Sequence, residues 1–507
     1  MVNIIVGNVY SKIDGNLPCD VIEKLYDTLA YTQDGYVFSD AYKSGYWDGK
    51  KHLFYKKGQR FLTGLFSYVK EILDNHNIQY SIEDNRKVPI PNMDLSFVDV
   101  AGPGMGGDLW KHQKMTVALA KKKGRGVFQV STGGGKTLIV SSIIAELDVR
   151  PFCFFVLSKD LMYQAQEELE RTLLDNNYGR KIKVGIVGDG KCDIRDINVV
   201  MIQSAVQALG GEYSPMDDEE PQYVNTSEVK DNKEKIVELL TNTKGWYFDE
   251  CQHLSAPTAQ LVSKNTPNAY YRYGGSATPY RDDGADILIE AVTGRKFISV
   301  TASYLIRQGV LIKPDIHIIP VKMQTKDISN FDEDKAKAPT SGNYNSVYKN
   351  FVVENAYRNN LIKELTDEFV SQGMSVLILV KQIKHGEILQ NLLPYSEFLQ
   401  GETNTDIRRE VIDALREKTL LCGIATSLAD EGLNIKSLNV IILAGGGKSS
   451  TKAFQRIGRV LRRCEGKKNA IAVDFYDDAP YLRKHSKRRI KLYNSEEEFN
   501  IIRHSDN

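Results

Sequence analysis

Seven consecutive residues, Ser131-Thr132-Gly133-Gly134-Gly135-Lys136-Thr137, have the composition of a cradle for a polyphosphate. Glycines let successive backbone N–H groups turn toward one anion, the lysine reaches the β- and γ-phosphates, and the threonine hydroxyl holds Mg2+. Such a loop works between a strand and a helix N-terminus, whose unpaired N–H groups and dipole favour negative charge. The apolar run Val127 to Val130 before it and helix-compatible Leu138 to Leu147 after it supply that setting. One departure is Val130, which stands where the strict spacing has glycine. A glycine-rich turn that binds nothing is the alternative, and the lysine and hydroxyl together argue against it. Further along, Trp246-Tyr247-Phe248 leads into Asp249-Glu250, two carboxylates at a strand end. A lone pair of this kind is commonplace, but after a phosphate loop it fits ATP hydrolysis. Asp249 is then the second Mg2+ ligand beside Thr137, and Glu250 the base for the attacking water. ATP and Mg2+ are the expected cofactors.

These residues need a scaffold of parallel strands, which brings successive C-terminal strand ends to one edge of a sheet. Apolar runs at Val127 to Val130, Phe152 to Leu157, Ile197 to Ile202 and Trp246 to Phe248 read as buried strands separated by helix-length segments. A second series, Val376 to Val380, Leu420 to Ala425, Asn439 to Leu443 and Ala470 to Asp474, repeats the alternation. The expected fold class is α/β, with two doubly wound parallel-sheet lobes. Residues 1–100 read as a small α/β N-terminal domain that binds nucleic acid, ending in the Pro/Gly-rich stretch Pro89 to Gly107. The first lobe is expected over 101–320, with an acidic surface insertion at 210–235 that contains Asp217-Asp218-Glu219-Glu220-Pro221. The second is expected over 321–507, with a polar excursion Thr325 to Tyr344 near its start and a basic C-terminal tail, Arg483 to Lys491, at its end.

Lysine and arginine number 66 against 65 acidic residues. No overall field announces a polyanion partner, so any nucleic-acid contact must come from local charge. Basic and aromatic residues interleave near the N-terminus: Lys43, Lys50, Lys51, His52, Lys56, Lys57 and Arg60 among Tyr42, Tyr46, Trp47, Phe54 and Tyr55. That mixture suits phosphate grip with base stacking, with Trp47 and Lys50 as the leading candidates; a buried aromatic core under a solvated lysine face fits equally well. Six cysteines without a C-x-x-C pair read as reduced thiols, not as a disulfide framework or zinc site. The apolar runs are too short to span a bilayer, and the N-terminus lacks a basic segment ahead of a long apolar stretch. No membrane contact and a cytoplasmic location are expected.

In chain order the motifs make residues 108–476 resemble the superfamily 2 helicases, which implies two RecA-like lobes around one ATP. Leu109-Trp110-Lys111-His112-Gln113 is similar to the segment whose glutamine recognises adenine, implying that role for Gln113. Val156-Leu157-Ser158-Lys159 and Gln203-Ser204 lie where the family's first lobe contacts the strand, implying nucleic-acid binding by Ser158, Lys159, Gln203 and Ser204. Ser276-Ala277-Thr278-Pro279 is similar to the motif that links hydrolysis to strand movement, through Ser276 and Thr278. Thr426-Ser427, followed by Glu431-Gly432-Leu433-Asn434, is similar to the fifth motif and implies strand contacts for Thr426 and Ser427; Asn434 stands where aspartate is usual. The most specific match is Gln455-Arg456-Ile457-Gly458-Arg459-Val460-Leu461-Arg462. It implies nucleotide binding by Gln455 and makes Arg459 and Arg462 catalytic arginine fingers, since a guanidinium beside the γ-phosphate offsets charge spreading over its oxygens. Arginine spacing alone would equally suit a basic helix face. The acidic motif departs from D-E-x-H, because Gln252 takes the fourth place and His253 follows. Which of the two relays the state of the γ-phosphate stays open.

A narrower likeness covers the front of the chain. Asp34-Gly35-Tyr36 with Phe38, Gly45-Tyr46-Trp47-Asp48-Gly49-Lys50, and Phe61-Leu62-Thr63-Gly64-Leu65 resemble the front domain of the UvsW-type phage DNA helicases, recombination and repair motors acting on branched DNA. That implies a 3′ to 5′ ATP-dependent translocase that unwinds or branch-migrates forks, D-loops and four-way junctions. Single-stranded and branched DNA are its implied partners, the host cytoplasm its location, and a monomer its expected state. An RNA helicase and an ATPase clamp that does not unwind are the alternatives, because the motor motifs do not choose between sugars.

Overall fold

The computed structural model describes residues 1–33, 35–98, 109–211, 226–279, 286–321, 344–401, 403–426, 435–447 and 449–505. They form two compact units: Met1–Val130 with Gly135–Ser299, and Val300–Asn507 with the four loop residues Ser131–Gly134.

The first unit contains two sheets. The front sheet has five strands in the order Phe54–Tyr55, Arg60–Leu62, Tyr10–Asp14, Val2–Val6 and Tyr80–Asp84. Val2, Ile4 and Val6 alternate inward, as period-two patterning requires of a half-buried strand, and pack on Leu25, Val69 and Leu73 of the helices Cys19–Thr28 and Phe66–Asn75. The larger sheet has eight strands, in the order Lys191–Asp193, Gly185–Gly188, Ile197–Met201, Phe152–Val156, Gly245–Asp249, Tyr271–Ser276, Arg125–Val130 and Lys296–Val300. Its central strands are parallel, and Phe152–Val156 is buried at every position because helices cover both faces. One apolar core runs from the front sheet into the larger one. Gly64 marks the closest approach: a Cβ there would lie 2.5 Å from the Ala291 carbonyl oxygen and closer still to that of Glu290. Around it Tyr68 donates to Glu290 (2.6 Å), Asn8 to the Pro267 carbonyl (3.0 Å), and Arg295 pairs with Glu71.

The second unit is a seven-stranded sheet in the order Glu397–Leu399, Cys422–Thr426, Val376–Val380, Val440–Ile442, Ile471–Asp477, Asp315–Val321 and Asn500–Arg503, parallel throughout. The eight strands read from the sequence are present in the two large sheets. Three expectations need correction. The second unit begins at Val300 and not at 321, because Asp315–Val321 pairs along its whole length with Ile471–Asp477. The basic C-terminal stretch is not a tail: Leu482–Tyr493 is a helix with Arg489 buried, and Asn500–Arg503 completes the sheet. The C-terminal part of the acidic insertion lies in the helix Thr226–Asn242, while residues 212–225 fall outside the described residues, as does the excursion up to residue 343. Among the described residues no helix is long and apolar enough to cross a membrane.

Candidate nucleotide site and nucleic-acid surfaces

The buried strand Arg125–Val130 delivers the phosphate loop, and the helix Lys136–Leu147 starts directly after it with Gly135 in the left-handed region at its N-cap. The Gly134 N–H closes the turn on the Ser131 carbonyl (2.9 Å). The left-handed φ of 79° at Gly135 favours glycine, and a Cβ there would displace the Gln113 side-chain amide. Gln113 therefore reaches the loop, although its Oε1 accepts the Trp110 N–H (2.9 Å) and caps its own helix. The Ser131 hydroxyl is buried without a hydrogen-bond partner among the described residues, and Lys136 projects from the first helical turn. An N–H-rich turn, a helix N-terminus and an unspent hydroxyl fit a polyphosphate.

The strand Gly245–Asp249 runs parallel to Tyr271–Ser276, and that strand parallel to Arg125–Val130; Asp249 lies opposite Gly275 and Ser276 opposite Gln129. Register thus brings the acid pair, Ser276 and the loop to one edge of the sheet. Lys136 Nζ stands 3.9 Å from Glu250 Oε1. Glu250 Oε2 accepts from Ser276 Oγ (3.0 Å) and from Gln252 Nε2 (3.2 Å), and Ser276 Oγ accepts the Thr278 N–H (3.1 Å). Gln252 therefore touches the expected base, and the departure from the commoner motif puts an amide on that carboxylate. Among the described residues the Gln252 Oε1 and Thr278 Oγ1 atoms are buried and have no hydrogen-bond partner, which leaves acceptor and donor capacity beside the base. Asp249 accepts from the Tyr247 hydroxyl (2.9 Å), a residue sequence reading passed over. Burial, and then the charge of Glu250, raises the Asp249 carboxyl above the usual carboxylate range against the pull of Lys136. Two carboxylates this close to one lysine fit a divalent cation, whose charge would relieve their repulsion.

In the second unit the helix Ser450–Val460 buries Ala453, Ile457 and Val460 and turns Gln455, Arg456 and Arg459 to the other face. The loop that starts this helix is held by three donors: Arg358 Nη1 to the Ala444 carbonyl (2.7 Å), the Tyr348 hydroxyl to Gly445 O (2.7 Å) and Arg489 Nη1 to Gly447 O (2.9 Å). Asp477 and Asp474 neutralise Arg358 and Arg489 (2.9 and 2.8 Å). Lys467 Nζ secures the far end through the carbonyls of Val460 (2.6 Å) and Arg462 (3.0 Å). Burial, and then the charge of Arg459, pushes the Arg462 guanidinium down to about 10. A polyanion would offset these like charges. None of Arg358, Tyr348, Lys467 or Arg489 carries a local motif, because each acts through a partner distant in sequence.

The expected strand contacts fare unevenly. Ser158 caps the helix Lys159–Thr172 through the Leu161 N–H (3.4 Å), and Lys159 is exposed beside it. Gln203 and Ser204 follow the adjacent parallel strand, but both side chains are buried, with Gln203 Oε1 unpartnered. Thr426 ends its strand buried, its hydroxyl without a partner among the described residues; Ser427, Glu431 and Asn434 lie outside them. At the front, Lys50 and Trp47 line an open groove of about 830 Å3 with Tyr46, Lys51, Tyr55 and Lys57. The Trp47 indole is half-buried, and its N–H donates to the Lys50 carbonyl (2.7 Å). The open ring is Tyr46, 92% exposed. Burial, and then the charge of Lys51, lowers the Lys264 ammonium of the helix Pro257–Lys264.

Comparison with known proteins agrees with this arrangement. Residues 105–281 match the family model described as type III restriction enzyme, res subunit, and residues 358–464 match that of the helicase conserved C-terminal domain. The chain is similar to helicase 22 of Sulfolobus islandicus filamentous virus, at 26% identity over 96% of this chain and 83% of that one. It is similar to the ATP-dependent DNA helicase UvsW of Enterobacteria phage T4, at 24% identity over 94% of each. Among solved structures, the ATP-dependent type ISP restriction-modification enzyme LlaBIII bound to DNA shares the fold with a TM-score of 0.50, at 14% identity over 80% of this chain and 32% of that one.

Proposed function

We propose, from the premise that this chain is an ATP-dependent helicase of superfamily 2, a motor that moves 3′ to 5′ on DNA and unwinds or migrates forks and junctions in recombination or repair. The hydrolytic half rests on one observation, the convergence of Lys136, Ser276 and Gln252 on the Glu250 carboxylate. In this reading Lys136 and the loop N–H groups from Ser131 to Gly135 hold the phosphates, and Gln113 reads the base. Thr137 and Asp249 would hold Mg2+, which supplies charge neutralisation at the phosphates. Glu250 takes the proton of the attacking water, and Arg459 and Arg462 offset charge developing on the γ-phosphate. Gln455 contributes to nucleotide binding from the same helix face as Arg459. Ser276 and Thr278 carry the change at Glu250 toward the bound strand, because Ser276 bridges the two by hydrogen bonds.

The choice of branched DNA is supported by the front groove. Tyr46 offers an open ring among the lysines of the groove, and the charge of Lys51 acts on Lys264, an arrangement suited to a sugar-phosphate backbone. Phosphate contact carries little sequence information, so loading should follow shape. ATPase stimulation by matched single-stranded DNA, forked DNA, a four-way junction and RNA tests the reading. Expected is strongest stimulation by forked or four-way DNA, with Lys51→Glu reducing that excess. Equal or greater stimulation by RNA overturns the DNA assignment, and stimulation without strand separation points to a clamp.

A further inference from the structure

A second aromatic surface lies away from the phosphate loop and the front groove. The helix Lys159–Thr172 runs into a short hairpin, Leu173–Asp175 with Arg180–Lys181, in which Leu174 pairs with Lys181 and Asp175 with Arg180. Leu95–Phe97 pairs on its other side. The turn is over-determined. Asp175 Oδ1 accepts the N–H of Asn177 (2.9 Å) and Tyr178 (3.3 Å), and its carbonyl accepts that of Gly179 (2.8 Å). Asn176 and Asn177 are tied to Asp94 (both 2.8 Å), and the Ser96 hydroxyl donates to Asn176 (2.6 Å).

All this fixes a turn whose apex side chain packs against no core. Tyr178 is 68% exposed, and its only ring contact among the described residues is the Arg180 guanidinium, 4.7 Å from the ring centroid. Arg180, Lys181 and Lys183 are exposed, and among the described residues they make no ion pair to a carboxylate. Turn tips are ordinarily small and polar. A rigid turn presenting a bare ring beside three unneutralised cations is instead complementary to a flat, apolar-faced group carried on an anionic chain. Single-stranded nucleic acid has that chemistry, since every base has a π-face and every link a phosphate.

We infer that the Tyr178 turn is a base-stacking pin, in which the ring takes a nucleobase of the bound single strand while Arg180, Lys181 and Lys183 hold the flanking phosphates. The inference deepens the proposed function and rests on its nucleic-acid track. The pin stands at the end of the helix that begins at Ser158 and Lys159. Fourteen helical residues at ~1.5 Å each make that helix about 21 Å long, several nucleotides of strand. A fixed ring at that distance gives the first unit a second hold on the strand, which resists backward slip while the phosphate grip resets.

The test uses the full chain and fluorescent single-stranded DNA and RNA of one sequence, each carrying 2-aminopurine. Tyr178→Ala is expected to weaken binding about tenfold and to lose the quenching that stacking produces, while Tyr178→Phe stays within about twofold of the parent. Lys181→Glu with Lys183→Glu is expected to weaken binding and flatten its salt dependence. The melting temperature of Tyr178→Ala should match the parent, because the ring is exposed. Unchanged affinity and quenching in Tyr178→Ala overturns the inference, and so does an equal loss in Tyr178→Phe, which would assign the effect to the hydroxyl. A parent that binds only RNA sinks the DNA reading, whereas the pin is then judged on the RNA strand by the same comparison.

Discussion

Replacing Gly64 by alanine should loosen the front sheet from the rest of the first unit. The added methyl would sit 2.5 Å from the Ala291 carbonyl oxygen, 2.7 Å from its carbon and nearer still to the Glu290 oxygen. These are backbone atoms of the helix Asp286–Thr293, so no rotamer change relieves the overlap. Restoring ordinary contact requires the turn Thr63–Leu65 to move by about 1 Å. That shift stretches the Tyr68 to Glu290 and Asn8 to Pro267 hydrogen bonds and the Arg295 to Glu71 pair. Overpacking of this kind costs roughly 1–3 kcal/mol, and a strained hydrogen bond about 1 kcal/mol more, so a loss near 3 kcal/mol is expected. Calorimetry should show the first unit melting about 5–10 °C lower. Limited proteolysis should cut near residues 85–110 sooner, and junction-stimulated ATPase should fall more than the single-strand-stimulated rate. A Gly64→Ala protein with parental melting and cleavage would show that the two sheets are not held by this contact, and the packing argument fails.

Glu250→Gln should bind ATP as the parent does yet hydrolyse it about 100- to 10,000-fold more slowly, whereas Lys136→Ala should lose nucleotide binding; equal turnover in Glu250→Gln removes the assigned base. Arg489→Met leaves Asp474 buried with only Tyr493 and its own backbone neighbour and should destabilise the second unit by about 3–5 kcal/mol, while Arg489→Met with Asp474→Leu should recover much of the loss by denaturant titration. Burial, and then the charge of Arg358, pushes His385 down to about 3 from 6.5, and its Nε2–H donates to Asn359 (3.0 Å) while Nδ1 has no partner. The folded imidazole thus binds a proton less readily than the unfolded one. Its contribution is complete above about pH 6.5 and is lost progressively as pH falls toward 3. A melting series from pH 7.5 to 4.5 should show a steeper acid loss in the parent than in His385→Gln, and parallel curves would refute the neutral imidazole.

Much of the candidate site was legible because its parts are local. A phosphate loop is seven adjacent residues, the acid pair is adjacent at a strand end, and buried parallel strands announce themselves as apolar runs such as Val376–Val380. Strands with mixed composition were missed for the same reason. Tyr271–Ser276 carries an arginine and two glycines, yet lies between the two strands that bear the site; its Arg272 is satisfied by three carbonyls, those of Ser263, Thr266 and Ala269. Asp315–Val321 and Asn500–Arg503 contain proline or polar residues and become strands only through pairing.

Sequence by itself singled out the candidate phosphate loop and acid pair, because helix N-termini, glycine loops and strand-end acids depend on spacing of a few residues. Tertiary structure decided which side chains are spent and which are open. It buried Gln203 and Arg489, half-buried Trp47 and left Tyr46 and Tyr178 exposed. It also placed Gln252 and Ser276 on Glu250 and set Arg358, Tyr348 and Arg489 on one loop. Exposure and partnership are properties of the packed surface, and residues far apart in the chain determine them jointly, so no local pattern records them.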